Sequence, residues 1–275
     1  MLIRPRSVVS TVQAAITHGS QLTSSNTGIP AGTSLAAQSA TGGTVPGGTW
    51  TDTVFTPTGA SFCTIGASGG TYTRCRFTGG LLIALADDVT LSRCDMPGGM
   101  SISSSYRTSM TRCRVHTTSG DLMQVTGDQG GRNQCLDVTL TECLIDNAIT
   151  LPGDHADGLQ VRGSLRLKLI RCRLDMGLQV AGNYKNSALF PQGGANGGNA
   201  DLEVRDCYLN GGGYIQYLDP ISGTSTFIGN RFGPDFTFGR ILNATAFVPT
   251  TWTGNVVHAT SEPVDYLTGS VAQAS

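Results

Sequence analysis

The sequence has few charged residues, no long apolar run and no segment with the pattern of a secretion signal. Only 13% of its residues are charged and its formal net charge is −1, so a general attraction to nucleic acid or anionic membranes is not expected. No apolar run is long enough for a transmembrane helix. Polar residues follow Met1–Ser7, where a signal peptide requires an apolar core. We therefore expect a protein that is made in a cytoplasm, without a signal peptide or membrane insertion.

Helical periodicity is also missing. The repeated segments of the chain are rich in Thr, Ser, Val and Gly, and no stretch has the 3.6-residue period of an amphipathic helix, which excludes a helical solenoid. The spacing of the repeats is shorter than the ~40 residues of a propeller blade. These absences leave a solenoid built from short strands.

One short pattern recurs in eight copies, at intervals of 19 to 35 residues. A copy consists of two apolar residues separated by a spacer, two polar residues, then Cys or Asn, a second spacer and a further apolar residue. The Cys and Asn positions are Cys75, Cys94, Cys113, Cys143, Cys172, Cys207, Asn230 and Asn255. Self-similarity at such intervals is typical of a solenoid.

The pattern predicts a right-handed parallel β-helix of about eight coils, an all-β fold. Alternation at period two indicates short strands with one buried face, and the two polar residues indicate a tight turn between two strands of a coil. A third strand, often opened by glycine, follows each copy, as at Leu81–Leu85. Stacked coils place the Cys and Asn residues about 4.8 Å apart, where Cys packs as a small hydrophobe and Asn hydrogen-bonds along the stack.

The eight cysteines are expected to be thiols. Neighbouring positions of the stack lie within bridging range, so disulfides remain an alternative, but parallel side-chain directions and the missing signal peptide disfavour them. The chain has no Cys-x2-Cys step, and a linear stack offers no tetrahedral shell for zinc. We therefore predict no metal site at the cysteines.

Composition divides the chain into three parts. Residues 1–50 form a lead-in rich in Ser, Thr, Gly and Ala, in which Ser7–Thr17 has the pattern of a short helix. This lead-in either caps the first coil or attaches the protein to a larger particle. Residues 51–258 form the β-helix, and residues 259–275 form a tail that closes its far end with Pro263, Tyr266 and Leu267.

A second column of residues is predicted on the face of the third strands. A step of the form apolar-Gln-apolar recurs there, and alternation turns its apolar residues inward and its glutamine outward. The glutamines are Gln124, Gln160, Gln179 and Gln216. They either line a binding surface or hydrogen-bond to one another as a structural ladder.

Asp121 and Asp157 each precede one of these glutamines by three residues. On adjacent coils their carboxylates would lie roughly 5 Å apart, near the separation used by retaining glycosidases. Such a pair raises one pKa and suits a general acid beside a nucleophile, or it could bind Ca²⁺, the one cofactor considered. His155 and Arg162 are candidate bases. The alternative for Asp157, which stands before a glycine, is a role in turn formation.

Long loops flank the column, at Thr126–Asn133, Asp146–Asp154 and Asn183–Asn199. A strand face with amides, carboxylates and aromatic loops suits an extended polysaccharide, whose hydroxyls bind amides and whose rings stack on aromatics. The candidate substrate-binding residues are Gln124, Gln160, Gln179, Gln216, Arg162 and Tyr184. The candidate catalytic residues are Asp121, Asp157 and His155.

Three stretches together resemble a known family: Asn26–Leu35, the coil repeat, and His155-Ala-Asp-Gly-Leu-Gln160. They are similar to the pectate-lyase-like β-helix proteins of actinobacteria and their phages, over roughly residues 26–257. The missing signal peptide favours the phage branch. This resemblance implies a minor tail protein at the tail tip of a virion, a homotrimer that contacts other tail proteins and the polysaccharide of the host cell envelope.

The catalytic motifs of better-understood β-helix enzymes are matched poorly. Ala156-Asp157-Gly158 is similar to the Asn-Thr-Asp-Gly of polygalacturonases, but no Gly-His-Gly follows, and the Arg-x-Pro-x-x-Arg step of pectate lyases is absent. The function expected first is recognition of a host-envelope polysaccharide. The alternatives are a depolymerase, lyase or glycosidase, that acts on the same glycan, and a purely structural spike.

Overall fold

The computed structural model describes residues 15–149, 151, 153, 155–179 and 184–270. Nearly all regular structure in these residues is β, apart from a 3-10 turn at Gly19–Gln21. The strands form three parallel sheets of 10, 8 and 11 strands. The chain visits the three sheets in rotation, which confirms the predicted parallel β-helix, and the 8 strands of the second sheet match the expected number of coils.

Each sheet collects one strand from successive coils. The first sheet contains Ala36–Thr41, Thr53–Thr58, Arg76–Phe77, Asp95–Pro97, Arg114–His116, Leu144–Asp146, Arg173–Asp175, Tyr208–Asn210, Arg231–Phe232 and Val256–Val257. The second sheet contains Cys63–Ile65, Leu81–Ala84, Met100–Ser103, Met123–Thr126, Ala156–Arg162, Lys185–Pro191, Tyr214–Tyr217 and Gly239–Leu242. The third sheet contains Thr49–Thr51, Thr71–Thr73, Thr90–Ser92, Ser109–Thr111, Cys135–Leu136, Thr139–Thr141, Ser164–Leu165, Lys168–Ile170, Asn199–Arg205, Ser222–Ile228 and Thr251–Thr253.

The core lies inside the three sheets and consists of stacked apolar residues. Met100, for example, pairs with Leu81 of the preceding coil and with Met123 of the following one. All three side chains are buried. Because alternate residues of a strand face opposite sides, the residues between them form the outer surface of the sheet.

The turn between the third and first sheets has the same backbone conformation in coil after coil. The residue before each cysteine of the stack has a positive φ, for instance 52° at Arg74 and 54° at Glu142. This conformation costs a non-glycine residue about 1–2 kcal/mol. The two copies with asparagine have glycine at this position, Gly229 and Gly254, at φ of 66° and 64°.

The charged residues of these turns are paired along the stack. Arg74 Nε lies 2.6 Å from Asp52 Oδ1 on the preceding coil. Glu142 lies between two arginines, with Arg112 Nε at 2.6 Å and Arg171 Nη2 at 3.1 Å from its carboxylate. These three arginines therefore form ion pairs with carboxylates of neighbouring coils.

The predicted stack of Cys and Asn runs through the core. All eight cysteines are buried and none is in a disulfide. The backbone amide of Cys94 donates to Cys113 Sγ at 3.4 Å, and that of Cys172 donates to Cys207 Sγ at 3.3 Å. Asn230 continues the stack, since its Oδ1 accepts from the amide of Cys207 at 2.9 Å. The thiol prediction is confirmed for this fold.

The lead-in lies along the side of the β-helix. The amide of Gly19 donates to the carbonyl of Asp206 and the amide of Gly28 to that of Arg112, so residues 15–35 run alongside the stack toward its first coil. We call residues 15–35 the strap. Most of the predicted helix over residues 7–17 falls outside the described residues.

The β-helix begins earlier than the predicted boundary at residue 51, because Ala36–Thr41 already pairs with Thr53–Thr58. At the other end the tail packs on the last coil, where Trp252 Nε1 donates to the carbonyl of Val264 at 2.8 Å. No helix among the described residues is long and apolar enough to cross a membrane.

Candidate functional site

The outer face of the second sheet carries the predicted column of polar residues. We call this face, with the loops beside it, the groove. Ser101 pairs with Gln124, Gln124 with Gln160, and Gln160 with Phe190. Gln124 and Gln160 therefore lie next to each other as predicted, and Gln124 Nε2 lies 3.4 Å from Gln160 Oε1.

Gln179 does not belong to this column. Its neighbour Leu178 is 69% exposed, and the strand of this coil is Lys185–Pro191, whose Ala188 and Leu189 fill the core. Residues 177–179 are not in a strand, so the prediction that Gln179 belongs to the outer column was wrong. Gln179 Oε1 accepts a hydrogen bond from Thr237 Oγ1 at 2.6 Å.

Gln216 faces inward, against expectation. It pairs with the core residues Leu189 and Ile241 and is 0% exposed, and its amide atoms have no hydrogen-bond partner. The strand is preceded by Gly211–Gly213, of which Gly211 and Gly212 have φ of 90° and 105°. Alternation cannot be counted across such a turn, so Tyr217 takes the outer position predicted for Gln216.

Asp121 lies on the groove surface. Its Oδ2 accepts from Gln124 Nε2 at 2.7 Å, and its Oδ1 accepts from the backbone amide of Asp157 at 2.8 Å. With Gln124, Ser101, Leu82 and other residues it lines a pocket of about 180 Å³. Asp121 and Asp157 therefore lie on adjacent coils. The bond between them joins the Asp121 carboxylate to a backbone amide, whereas a pair of neighbouring carboxylates was predicted.

Asp157 is buried and points away from the groove surface. Its side chain accepts from Ser187 Oγ at 2.5 Å and from Asn186 Nδ2 at 3.0 Å. An offset of three residues from Gln160 reverses the alternation, so Asp157 has the inward direction of Leu159. Burial raises the pKa of Asp157 to about 7, outweighing the hydrogen bond from Ser187, and the Asp121 carboxylate raises it further.

His155 and Tyr184 lie together at the far part of the groove. Their ring centroids are 6.4 Å apart in an edge-to-face arrangement, and both side chains are exposed. With Gln179, Asn186, Tyr217 and other residues they line a second pocket, of about 150 Å³. No hydrogen bond joins His155, a predicted candidate base, to Asp157 within the described part of the chain.

A cluster of aromatic residues lies at this second pocket. The sequence patterns did not identify these residues as a group. Phe190 and Tyr217 pack with ring centroids 4.6 Å apart. Tyr214 lies 5.9 Å from Tyr217 and 5.6 Å from Phe238, whose side chain is 70% exposed. We call these four rings the aromatic platform. In the sequence, only the Gly211–Gly213 run indicated that the alternation of inward and outward side chains would change here. That change also sets the position of Tyr217.

Arg162 lies on the outer face, two residues beyond Gln160, and pairs with Thr126 in the sheet. Its Nε is buried without a hydrogen-bond partner. No carboxylate of the described residues forms an ion pair with it. Arg162 therefore borders the groove, separated from the buried Asp157 by most of one strand.

Both carboxylates already accept hydrogen bonds. Asp121 accepts from the backbone amide of Asp157 and from Gln124 Nε2, and Asp157 accepts from Ser187 Oγ and Asn186 Nδ2. In the described part of the chain, no group of three or more His, Cys, Asp or Glu side chains is placed to hold a metal.

No protein-family model and no curated protein matches the chain. It is similar to the solved structure of ORF18 of Geobacillus virus E2, with 10% identity and a TM-score of 0.42, over 83% of this chain and 48% of that one. A tailspike double mutant of E. coli bacteriophage HK620, in complex with a pentasaccharide, has 13% identity and a TM-score of 0.30 over 77% of this chain and 49% of its own. The chain spans about half the length of these structures.

Proposed function

We propose that this protein is a phage tail component that binds a polysaccharide of the host cell envelope along the groove. The phage setting rests on the resemblance of Asn26–Leu35, the coil repeat and His155–Gln160 to the phage branch of the pectate-lyase-like proteins. The binding role rests on the surface of the second sheet.

The observation that carries the proposal is one continuous outer column of polar and aromatic side chains. From Leu82 it runs through Ser101, Gln124 and Gln160 to Phe190, and Tyr217 follows in ring contact with Phe190. Five steps of about 4.8 Å give a length of roughly 24 Å. A long shallow surface with amides in the middle and exposed rings at one end suits several sugar units of an extended chain.

Retention of the purified protein on envelope polysaccharide from an actinobacterial host tests the proposal. Phe238→Ala removes an exposed ring of the aromatic platform, and Gln124→Ala removes an amide from the middle of the groove. We expect each to weaken binding about tenfold, the loss typical of a contact at the centre of an interface.

The matched control is Val248→Ala, which shortens an apolar side chain that is 63% exposed and outside the groove. It should bind like the unchanged protein. No retention of the unchanged protein on any host envelope glycan would contradict the proposed function.

A second function, depolymerisation of the same polysaccharide, is favoured by the carboxylate of Asp121, which lies on the groove surface and lines its pocket. Asp157 behind it is 1% exposed, so Asp121 is the carboxyl of the two that can reach a sugar unit. Mass spectrometry of soluble fragments from isolated envelope distinguishes the two functions. An enzyme releases fragments, and Asp121→Asn with Asp157→Asn stops the release, whereas a binding protein is retained and releases none.

A purely structural role for the glutamines predicts the opposite pattern. The contact between Gln124 and Gln160 is what a structural ladder requires, so Gln160→Ala would lower stability and leave adsorption to the host intact.

The resemblance further leads us to propose a homotrimer that attaches to other tail proteins. Three copies of a weak glycan-binding site would together bind with useful avidity. Sedimentation equilibrium measures the oligomeric state directly.

A further inference from the structure

A chain of hydrogen bonds leads from the aromatic platform to the buried carboxyl of Asp157. The hydroxyl of Tyr217 lies 2.8 Å from Asn186 Oδ1 and donates to it. Asn186 Nδ2 in turn donates to Asp157 Oδ1 at 3.0 Å. Asp157 is 1% exposed, so the carboxyl acts on the groove through Asn186 rather than by direct contact with a ligand.

The chemistry of the three groups fixes the direction of this chain. An ionised carboxylate only accepts hydrogen bonds, so the amide of Asn186 must turn its N–H group toward Asp157. Its carbonyl oxygen then faces Tyr217, whose hydroxyl must donate to it. With its proton committed inward, the Tyr217 hydroxyl presents only lone pairs to the pocket.

We infer that Asp157 is a positioning residue that, through Asn186, sets the Tyr217 hydroxyl as a hydrogen-bond acceptor for the bound polysaccharide. This inference rests on the proposed function and adds a chemical preference to it. The sugar unit at Tyr217 must offer a donor there, a hydroxyl or an N–H group. A unit that offers only an acceptor, such as an O-acyl carbonyl, is disfavoured.

Protonation of Asp157 removes this constraint. A carboxylic acid donates as well as accepts, so the Asn186 amide can turn over and the Tyr217 hydroxyl can then donate to the pocket. Burial raises the pKa of Asp157 to about 7, which places the change in an accessible pH range.

Several other charged or titratable groups face the same region. They are Asp121 on the preceding coil, His155 and Tyr184 beside the pocket, Lys185, Tyr214 and Asp219. Lys185 Nζ donates to the backbone carbonyls of Met176 and Leu178, which holds its charge away from the chain described above. His155 is an imidazole that lines the same pocket, so it requires its own control.

The first experiment needs no polysaccharide. NMR titration of the ¹³C-labelled protein between pH 5 and 9 follows the carboxyl of Asp157, the side-chain amide of Asn186 and the ring of Tyr217. We expect all three to shift with one midpoint, and the shifts of Asn186 and Tyr217 to disappear in Asp157→Asn. A Tyr217 ring that does not respond, or responds equally in Asp157→Asn, would overturn the inference.

The second experiment measures the affinity for solubilised actinobacterial envelope polysaccharide at pH 5.5 and pH 8.5. The loss of one hydrogen bond at the lower pH should weaken binding by the unchanged protein about fivefold. Tyr217→Phe should bind weakly at both pH values, because the acceptor is gone. His155→Gln should keep the pH dependence.

The outcomes separate the inference from the proposed function. A Tyr217→Phe variant that keeps the full pH dependence would overturn the inference although binding persists. If the unchanged protein binds no polysaccharide at either pH, the proposed function fails. The NMR titration then still decides whether Asp157 controls the Tyr217 hydroxyl.

Discussion

Asn230 shows how one side chain can replace a thiol in the stack and add bonds to it. Its Nδ2 donates to Val204 O and to Asn255 Oδ1, both at 2.9 Å, and its Oδ1 accepts from the Cys207 amide. The buried cysteines reach the same neighbours through longer sulfur contacts of 3.3 to 3.6 Å. Hydrogen bonds of side-chain amides therefore stabilise the last coils, at the end of the stack.

Replacing this residue gives a direct measure of those bonds. Asn230→Ala removes the acceptor of the Cys207 backbone N–H and the donor to the Val204 carbonyl, while Asn255 Oδ1 keeps the backbone N–H of residue 230 as a donor. We expect a loss of about 2–4 kcal/mol in the free energy of unfolding. Asn230→Cys, which restores the residue of the preceding coils, should lose less than half as much. Urea unfolding checks both variants. Equal losses would contradict the expected partial rescue and would mean that the amide hydrogen bonds, not packing volume, are what Asn230 contributes.

The raised pKa of Asp157 should make the stability of the protein depend on pH. Its pKa rises from an ordinary 3.8 to about 7 in the folded protein, so the folded state holds a proton that the unfolded state has released. The contribution of this group to stability is therefore full below its unfolded pKa and is lost as the pH rises toward 7. Between pH 5 and pH 8 we expect a loss of about 2–3 kcal/mol.

Urea unfolding at pH 5 and pH 8 measures this loss, and Asp157→Asn supplies the control. The variant has no proton to release at this position, so its stability should change less between the two pH values. An unchanged pH dependence in Asp157→Asn would assign the effect to another group.

At the scale of elements, the strap is held by a close approach that only glycine allows. A Cβ on Gly19 would lie 2.0 Å from the carbonyl oxygen of Cys172 and 2.8 Å from the amide of Tyr208. Leu22, which follows, is 0% exposed, and Arg173 Nη1 donates to its carbonyl at 3.2 Å. Backbone proximity at one glycine and burial of one leucine thus fix the strap to the coils.

We predict that Gly19→Ala lifts the strap while the coils remain folded. The added methyl cannot fit against the Cys172 carbonyl, and the hydrogen bond from Gly19 to Asp206 is lost with it. Hydrogen exchange or limited proteolysis should show new exposure confined to residues 15–35. Ser24→Ala, in the same segment and without such a contact, is the matched control and should leave protection unchanged.

At the scale of the whole molecule, the eight thiols report on the integrity of the stack. All are buried, so the native protein presents no accessible thiol to a reagent in solution. We predict no reaction with a thiol reagent such as Ellman's reagent before unfolding. In guanidinium all eight should react together. Fewer than eight reactive thiols would indicate the disulfides that the sequence left as an alternative.

The β-helix could be predicted because its signal is periodic and local. Each copy places two buried residues, a turn and a Cys or Asn at fixed offsets, and these offsets alone specify which residues stack. The same argument placed Gln124 and Gln160 correctly, since regular strands of neighbouring coils contain them. The same register placed Asp121 and Asp157 on adjacent coils.

What the tertiary structure alone decided lies where the regular repeat is interrupted. The strand expected to contain Gln179 begins only at Lys185, and the Gly211–Gly213 turn exchanges the expected directions of Gln216 and Tyr217. Asp157 lies three positions before Gln160 in the same strand, so its side chain points inward while that of Gln160 points outward. Because one extra residue exchanges the two faces of a strand, the sequence determined the scaffold and its axis, while only the folded coils decided which side chains reach the groove.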